Sequence, residues 1–242
     1  MKLIVFSDIH GNQYAFDAFL KEIARIDYDK IIFCGDIFGY YYGQQEIIDG
    51  LEKMENLIWI QGNHDSYAVA AYYGRKNVQE LVEKYGHSYE RMFSYLDQGY
   101  LKKIERLPFM YELEADKKKI GIFHGTPDNI TEGRLYPKDS IVNEHPYQAY
   151  DYVILGHTHF KMIRKCGNTT VLNPGSLGQQ RDGKGFGYMI LDTCQDKVEF
   201  RNIDYSKKEL YREIERYDSE MGKLKEILER KCVHEKNIGD GN

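Results

Sequence analysis

A chain of 242 residues, 42% hydrophobic and 29% charged, is long enough to bury one sizeable core, and a single domain over residues 1–242 is the expectation. Its formal net charge of -5 gives no general attraction to a nucleic-acid polymer or an anionic membrane surface. The four cysteines, Cys34, Cys166, Cys194 and Cys232, lie far apart with no C-x-x-C pair, which argues against a zinc knot or a disulfide framework.

The chain opens on a strand, "KLIVFSD". Phe16, Phe19, Leu20, Ile23 and Ile26 then recur at helical spacing over about residues 12 to 27. "KIIFCGD" reads as a second strand, residues 44 to 54 as a second helix and "NLIWIQGN" as a third strand. This alternation implies crossover connections and a parallel sheet covered by helices. Residues 66 to 106 read as a helical, cap-like insertion with several tyrosines. From Phe109 the pattern turns to hairpins ("FMYELEA", "KKIGIFHG", "KMIRKC", "TTVLNPG", "FGYMILDT", "KVEFRNI"), with Lys117, Lys118 and Lys119 marking a solvated turn. A two-sheet α/β sandwich follows rather than a single Rossmann sheet. The last segment, residues 206 to 233, reads as one charged helix. Its Leu210, Ile214, Tyr217, Met221, Leu224 and Leu228 fall at spacings of four and three, a seam for its own body or for a partner chain, so monomer and homodimer both stand. No positively charged leader precedes the first strand and no apolar run approaches membrane-spanning length, so a cytoplasmic location is expected.

In "DYVILGHTHF", residues 151 to 160, two histidines follow a strand. If the chain stays extended there, His157 and His159 point the same way. Alone, such a pair is either a strand cap or part of a metal site. The other strand ends bear on the choice. "FSDIHG" supplies Asp8 and His10, "FCGDIFGY" supplies Asp36, "IQGNHD" supplies Asn63, His64 and Asp65, and "IFHGTP" supplies His124. Singly these read as turn, cap or core residues. Jointly they form a set of metal-ligand types, each beside a glycine that lets the backbone turn tightly. Carboxylate, imidazole and one amide oxygen without thiolate suit manganese first, with iron, nickel or zinc as alternatives. There are too many ligands for one ion, so two ions sharing a carboxylate is the economical reading.

The order D-x-H, G-D, G-N-H-D, H-G, G-H-T-H resembles the calcineurin-like metallophosphoesterase superfamily, and "NPGSLGQQRDG" resembles the segment that follows in bacterial members, the YfcE-like phosphodiesterase subgroup. The resemblance implies a mixed α/β fold, a four-layer αββα sandwich of two mixed β-sheets holding a binuclear centre, here with the C-terminal helix added. It implies that Asp8, His10 and His159 hold a first divalent ion, that Asn63, His124 and His157 hold a second, and that Asp36 bridges them. The implied activity is hydrolysis of a phosphodiester, or of a monoester or nucleotide, by a hydroxide bridging the metals. His64 matches the histidine beside the substrate, where a protonated imidazole would donate to the leaving oxygen. Asp65 either orients His64 or caps the following helix.

The Ser/Thr protein phosphatases of the superfamily carry an arginine soon after G-D and read G-N-H-E, whereas this chain reads "GDIFGYYYG" and "GNHD". That counts against a protein phosphatase. Arg181 and Arg134 are candidates for an anionic substrate, with a surface arginine as the alternative for each. Tyr40, Tyr41 and Tyr42 follow the Asp36 loop, and Tyr67, Tyr72 and Tyr73 follow the His64 loop; they either rim the mouth to stack a nucleobase or aryl group or pack loop against helix. An amidohydrolase also uses H-x-H, but there it belongs to the first strand of a barrel. A catalytically weak metal-binding module of the same fold, as in a retromer subunit resembling this superfamily, is the reading from another class. A small-molecule phosphoester is the expected partner.

Overall fold

The computed structural model describes residues 1–141 and 143–230; Cys232 and positions 231–233 of the expected last helix lie outside the described residues. The first stretch alternates β1 (Lys2–Phe6), α1 (Gln13–Ile23), β2 (Lys30–Phe33), α2 (Gln44–Glu52) and β3 (Leu57–Trp59). The insertion follows as α3 (Asn63–Tyr72), α4 (Val78–Tyr85), α5 (Ser88–Met92) and α6 (Gln98–Glu105). Then come β4 (Met110–Ala115), β5 (Lys118–Phe123), β6 (Tyr152–Ile154), β7 (Lys161–Cys166), β8 (Thr169–Pro174), β9 (Gly187–Asp192) and β10 (Lys197–Asn202), and finally α7 (Lys208–Tyr217) and α8 (Lys223–Leu228).

Two mixed five-stranded sheets result, ordered β10-β9-β1-β2-β3 and β4-β5-β6-β8-β7. In the first, β1, β2 and β3 run parallel, with Ile4 opposite Ile31 across β1 and β2. The strand period of two splits each apolar run between two cores. Leu3, Val5, Ile32 and Cys34 meet Ile120, Ile122, Ile154 and Leu172 between the sheets. Ile4, Phe6, Ile31 and Phe33 face the helices. A strand buried on both faces is therefore a continuous apolar run, which is why "KLIVF" and "KIIF" do not alternate. The outer face of the second sheet, with Val153, Leu155 and Val171, is covered through Leu135 and Tyr147. Among the described residues that layer, 125–150, is made of turns rather than helix.

Two boundaries differ from expectation. The insertion's first helix starts at Asn63 rather than at 66, so the G-N-H-D motif is a helix N-terminus. The single helix expected over 206–233 is two helices, broken after Tyr217. At the break Asp218 is buried and accepts hydrogen bonds from the Tyr42 hydroxyl (2.5 Å) and the His87 amide (3.0 Å). A side chain that ties the chain end to both the Asp36 loop and the insertion outweighs one more helical turn. The seam nonetheless packs on its own body: Leu210, Ile214, Leu224 and Leu228 are buried among the helices over the first sheet. Among the described residues no helix is long and apolar enough to cross a membrane.

Leu210 is 0% exposed at the start of that seam. Leu210→Ala is expected to lower unfolding free energy by about 2–5 kcal/mol in urea titrations; an unchanged midpoint would show that the C-terminal helices do not belong to the cooperative core.

Candidate metal centre

Parallel strands end on the same side, so β1, β2 and β3 in one sheet and β5 and β6 in the other deliver their following loops to one edge of the sandwich. Beyond the strands the backbone turns left-handed at Asp8 (φ 56°), His10 (φ 51°), Asp36 (φ 71°), His157 (φ 64°) and His159 (φ 63°). Residues with a Cβ adopt this region only when the surroundings over-determine it. Here backbone bonds do so: the Asp8 amide donates to Gly35 O (3.0 Å), the Ile9 and His10 amides to Asp36 O (2.9 and 3.1 Å), and the Asp8 carbonyl accepts from Gly178 N and Ser176 Oγ. A Cβ at Gly178 would strike the Ile9 carbonyl, and one at Gly62 would strike Asp36 Oδ1. Those are the close approaches that the "NPGSLG" and "GNHD" glycines permit.

The extended conformation that would put both histidines on one strand face is therefore absent at 157–159. They part to neighbouring clusters. His159 joins Asp8 and His10, while His157 joins Asp36 and His124. Asn63 completes the second group, its Oδ1 3.0 Å from His124 Nε2. The seven expected ligands are thus brought together, with Asp36 lying between the clusters: its Oδ2 is 3.8 Å from His10 Nε2 and 3.2 Å from His124 Nε2.

The imidazoles are oriented by acceptors. Nδ1 of His10 lies 2.7 Å from Phe38 O, that of His124 2.7 Å from Cys34 O, and that of His159 2.5 Å from Gln179 O. A carbonyl accepts only, so each Nδ1 carries the hydrogen and donates it, and each Nε2 faces the centre. There His10 Nε2 is 3.1 Å from His159 Nε2, which is itself 3.2 Å from Asp8 Oδ1. Asp8 Oδ1 and Asp36 Oδ2 are buried and accept no well-aligned hydrogen bond. In the first cluster acceptors thus face acceptors in a dry space, which is repulsive until a cation lies among them. The spacings fit ligands held at metal bonds of about 2.1 Å. The residues present therefore fit a divalent metal centre.

Protonation differs between the two clusters. Burial raises the Asp8 carboxyl, but His159, His124 and His10 outweigh it and hold it well below the usual range. Burial lowers His10 and His159, leaving neutral imidazoles. In the other cluster burial pushes Asp36 up to about 7 against the pull of His124. His124 is lowered by burial but raised more by Asp36, to about 10. A proton held by this pair thus stands where a metal would bring its charge.

Asp65 does not touch His64. Its carboxylate accepts from the Gly62 (2.9 Å), Asp36 (2.9 Å) and Ile37 (2.7 Å) amides, so it caps α3 and clamps the Asp36 loop to it. The His64 amide donates to Asp36 Oδ1 at 2.8 Å. The buried His64 ring has a nitrogen within 4.8 Å of ligand atoms of His10 and Asp36, while Nδ1 meets the Tyr89 hydroxyl at 2.7 Å. Burial lowers its basicity and the surrounding His10, His124, His159 and Arg181 add to the effect, so the resting ring is neutral. Tyr89, on α5, has no signal in the sequence: no spacing rule ties a residue in the insertion to His64.

Arg181 donates to the Tyr40 hydroxyl (2.9 Å) and Gln179 Oε1 (3.0 Å), and Arg134 Nε donates to His157 Nε2 (2.9 Å). Tyr40 is buried, edge-on to His10 and stacked on His64. Tyr41 and Tyr42 lie in the helical core and Tyr72 and Tyr73 pack on each other, so loop packing accounts for these tyrosines. Tyr67 and Tyr85 flank His64 at 5.5 and 4.5 Å between ring centroids.

The chain matches the family model described as the calcineurin-like phosphoesterase superfamily domain over residues 1–196 and belongs to that family. It is similar to an uncharacterised protein of Methanocaldococcus jannaschii, 28% identical over 229 residues that cover 88% of this chain and 91% of that one. A hypothetical protein of Pyrococcus horikoshii shares the fold with a TM-score of 0.78 at 20% identity, over 94% of this chain and 97% of the other. A metallophosphoesterase of Sphaerobacter thermophilus shares it with a TM-score of 0.74 at 22% identity, over 95% and 98%.

Metal uptake must expel the proton of the Asp36–His124 pair. Between the two values, about 7 and about 10, one proton leaves per ion bound in the second cluster; below about 7 a second must leave. Affinity for manganese is expected to fall about tenfold per pH unit in the first window and more steeply below it. Calorimetry in buffers of different ionisation enthalpy checks this, and heats independent of buffer would contradict it.

Proposed function

We propose that this calcineurin-like phosphoesterase hydrolyses small-molecule phosphodiesters with two divalent ions, one held by Asp8, His10 and His159, the other by Asn63, His124 and His157, with Asp36 shared. The observation that carries this reading is the pair of buried, unpartnered oxygens, Asp8 Oδ1 and Asp36 Oδ2, among inward-facing imidazoles. When bound, such ions supply the Lewis acidity that makes water nucleophilic near neutral pH and offsets phosphoryl charge. Manganese suits this oxygen-and-imidazole set, with iron, nickel or zinc as alternatives.

The chain's own residues do the rest. Asp65 and the His64 amide fix Asp36 so that Oδ2 faces the centre. This reading assigns the Tyr89 hydroxyl, 2.7 Å from His64 Nδ1, as the donor, so that the neutral ring keeps its proton on Nε2 to donate to a phosphoryl oxygen. Arg181, held by Tyr40 and Gln179 beside the first cluster, steadies anionic charge. A diester is favoured over a monoester because Arg181 is already engaged by Tyr40 and Gln179, and a singly charged phosphate asks for fewer cations than a dianion. That preference agrees with the YfcE-like subgroup the motifs resemble. The unpaired Cys34, Cys166 and Cys194 fit a reducing, cytoplasmic setting, and a seam buried on its own body fits a monomer.

With manganese present, bis(nitrophenyl) phosphate is expected to turn over faster than nitrophenyl phosphate, and chelator to abolish both; no metal-dependent turnover of either would overturn the reading. His64→Gln should lower kcat about 10²–10³-fold for nitrophenyl and alkyl diesters alike, with metal content unchanged. Slowing confined to alkyl esters would instead make His64 the acid for the leaving group.

A further inference from the structure

Resting on the two-ion reading, we propose that Arg134 and the second ion compete for His157, so that loading the second cluster frees the Arg134 guanidinium to bind the substrate phosphate. The number of lone pairs on His157 sets the competition. A guanidinium has donors and no acceptor, and a neutral imidazole has one N–H and one lone pair. Arg134 Nε–H takes the lone pair of His157 at Nε2, at 2.9 Å, so the ring hydrogen sits on Nδ1. A metal also needs a lone pair. Bound at Nε2, it takes the place of Arg134. Bound at Nδ1, it moves the ring hydrogen to Nε2, where two donors then face each other. The Arg134–His157 bond breaks in either case, and the arriving dication adds like-charge repulsion.

The first cluster carries no such conflict. His10 and His159 are held through Nδ1 by the carbonyls of Phe38 and Gln179, partners that accept and so remain compatible with a metal at Nε2. Arg134 is exposed, next to the buried Leu135 that anchors its turn, so the side chain can swing without disturbing a core. Once released at the edge of the site, its planar fork suits two oxygens of a phosphate. Metal loading and phosphate binding are then linked, and the linkage is reciprocal.

The test is titration of manganese chloride into the metal-free full chain, followed by inorganic phosphate into the loaded protein. Wild type is expected to bind manganese in two steps. Arg134→Met should tighten the second step about tenfold, since a hydrogen bond to a charged donor no longer opposes it, and leave the first unchanged. The loaded variant should also bind phosphate more weakly than loaded wild type, a change that a merely structural arginine would not produce. An unchanged or weakened second step, or equal phosphate affinity, overturns the linkage while leaving two-ion binding intact. A single manganese step in both proteins overturns the two-ion reading and the linkage with it.

Discussion

Acceptors forced to face one another away from water set the terms for this structure. Asp8, Asp36 and Asp65 are all buried, and with them the imidazoles of His10, His64, His124, His157 and His159. A buried carboxylate without a cation or donors costs several kcal/mol even after relaxation. Asp65 meets that cost with four backbone amides. Asp8 and Asp36 each leave one oxygen unmatched. The left-handed backbone at Asp8, His10, Asp36, His157 and His159 adds strain at the same place. Such concentrated cost persists because the surrounding sandwich holds it, and a cation bound there would offset it.

The two sheets do that holding. The inter-sheet core keeps the ends of β1, β2, β5 and β6 in register, and the carbonyls of Cys34, Phe38 and Gln179 fix which nitrogen each histidine turns inward. The insertion contributes more than cover: α3 begins inside the site, α5 brings Tyr89 to His64, and Asp218 ties the C-terminal helices to His87 and Tyr42. The two clusters are unequal. One offers an ionised Asp8 with neutral imidazoles, while the other holds a proton between Asp36 and His124 and an arginine on His157.

Much of this was legible because apolar runs buried on both faces end abruptly in polar residues, so strand ends and site residues announce each other. The candidate ligand residues were readable from composition and position at those ends. What escaped is what tertiary contact decides. An extended chain would have put His157 and His159 on one face; the left-handed turns instead send them to different clusters, the division that the family resemblance implied. The helical period ran unbroken through 217–222, yet Asp218 gains partners from two distant segments by ending the helix there. Asp65 was open between two roles; its four amide bonds decide for the cap. Tyr89 is one tyrosine among 21, and only packing distinguishes it. The tyrosines after the G-D and G-N-H-D motifs looked alike in sequence, whereas ring contacts divide them into Tyr40 and Tyr67 beside His64 and the others in packing roles.

The central claim is that buried acceptors shared through Asp36 hold two ions. Its most direct test is elemental analysis, with anomalous scattering from crystals, of the manganese-loaded wild-type chain and of Asp36→Asn. The account predicts two ions per chain flanking the Asp36 carboxylate in wild type and at most one in the variant, since the amide removes the charge shared by both. A single ion in the wild type, or two undiminished ions in Asp36→Asn, would contradict it.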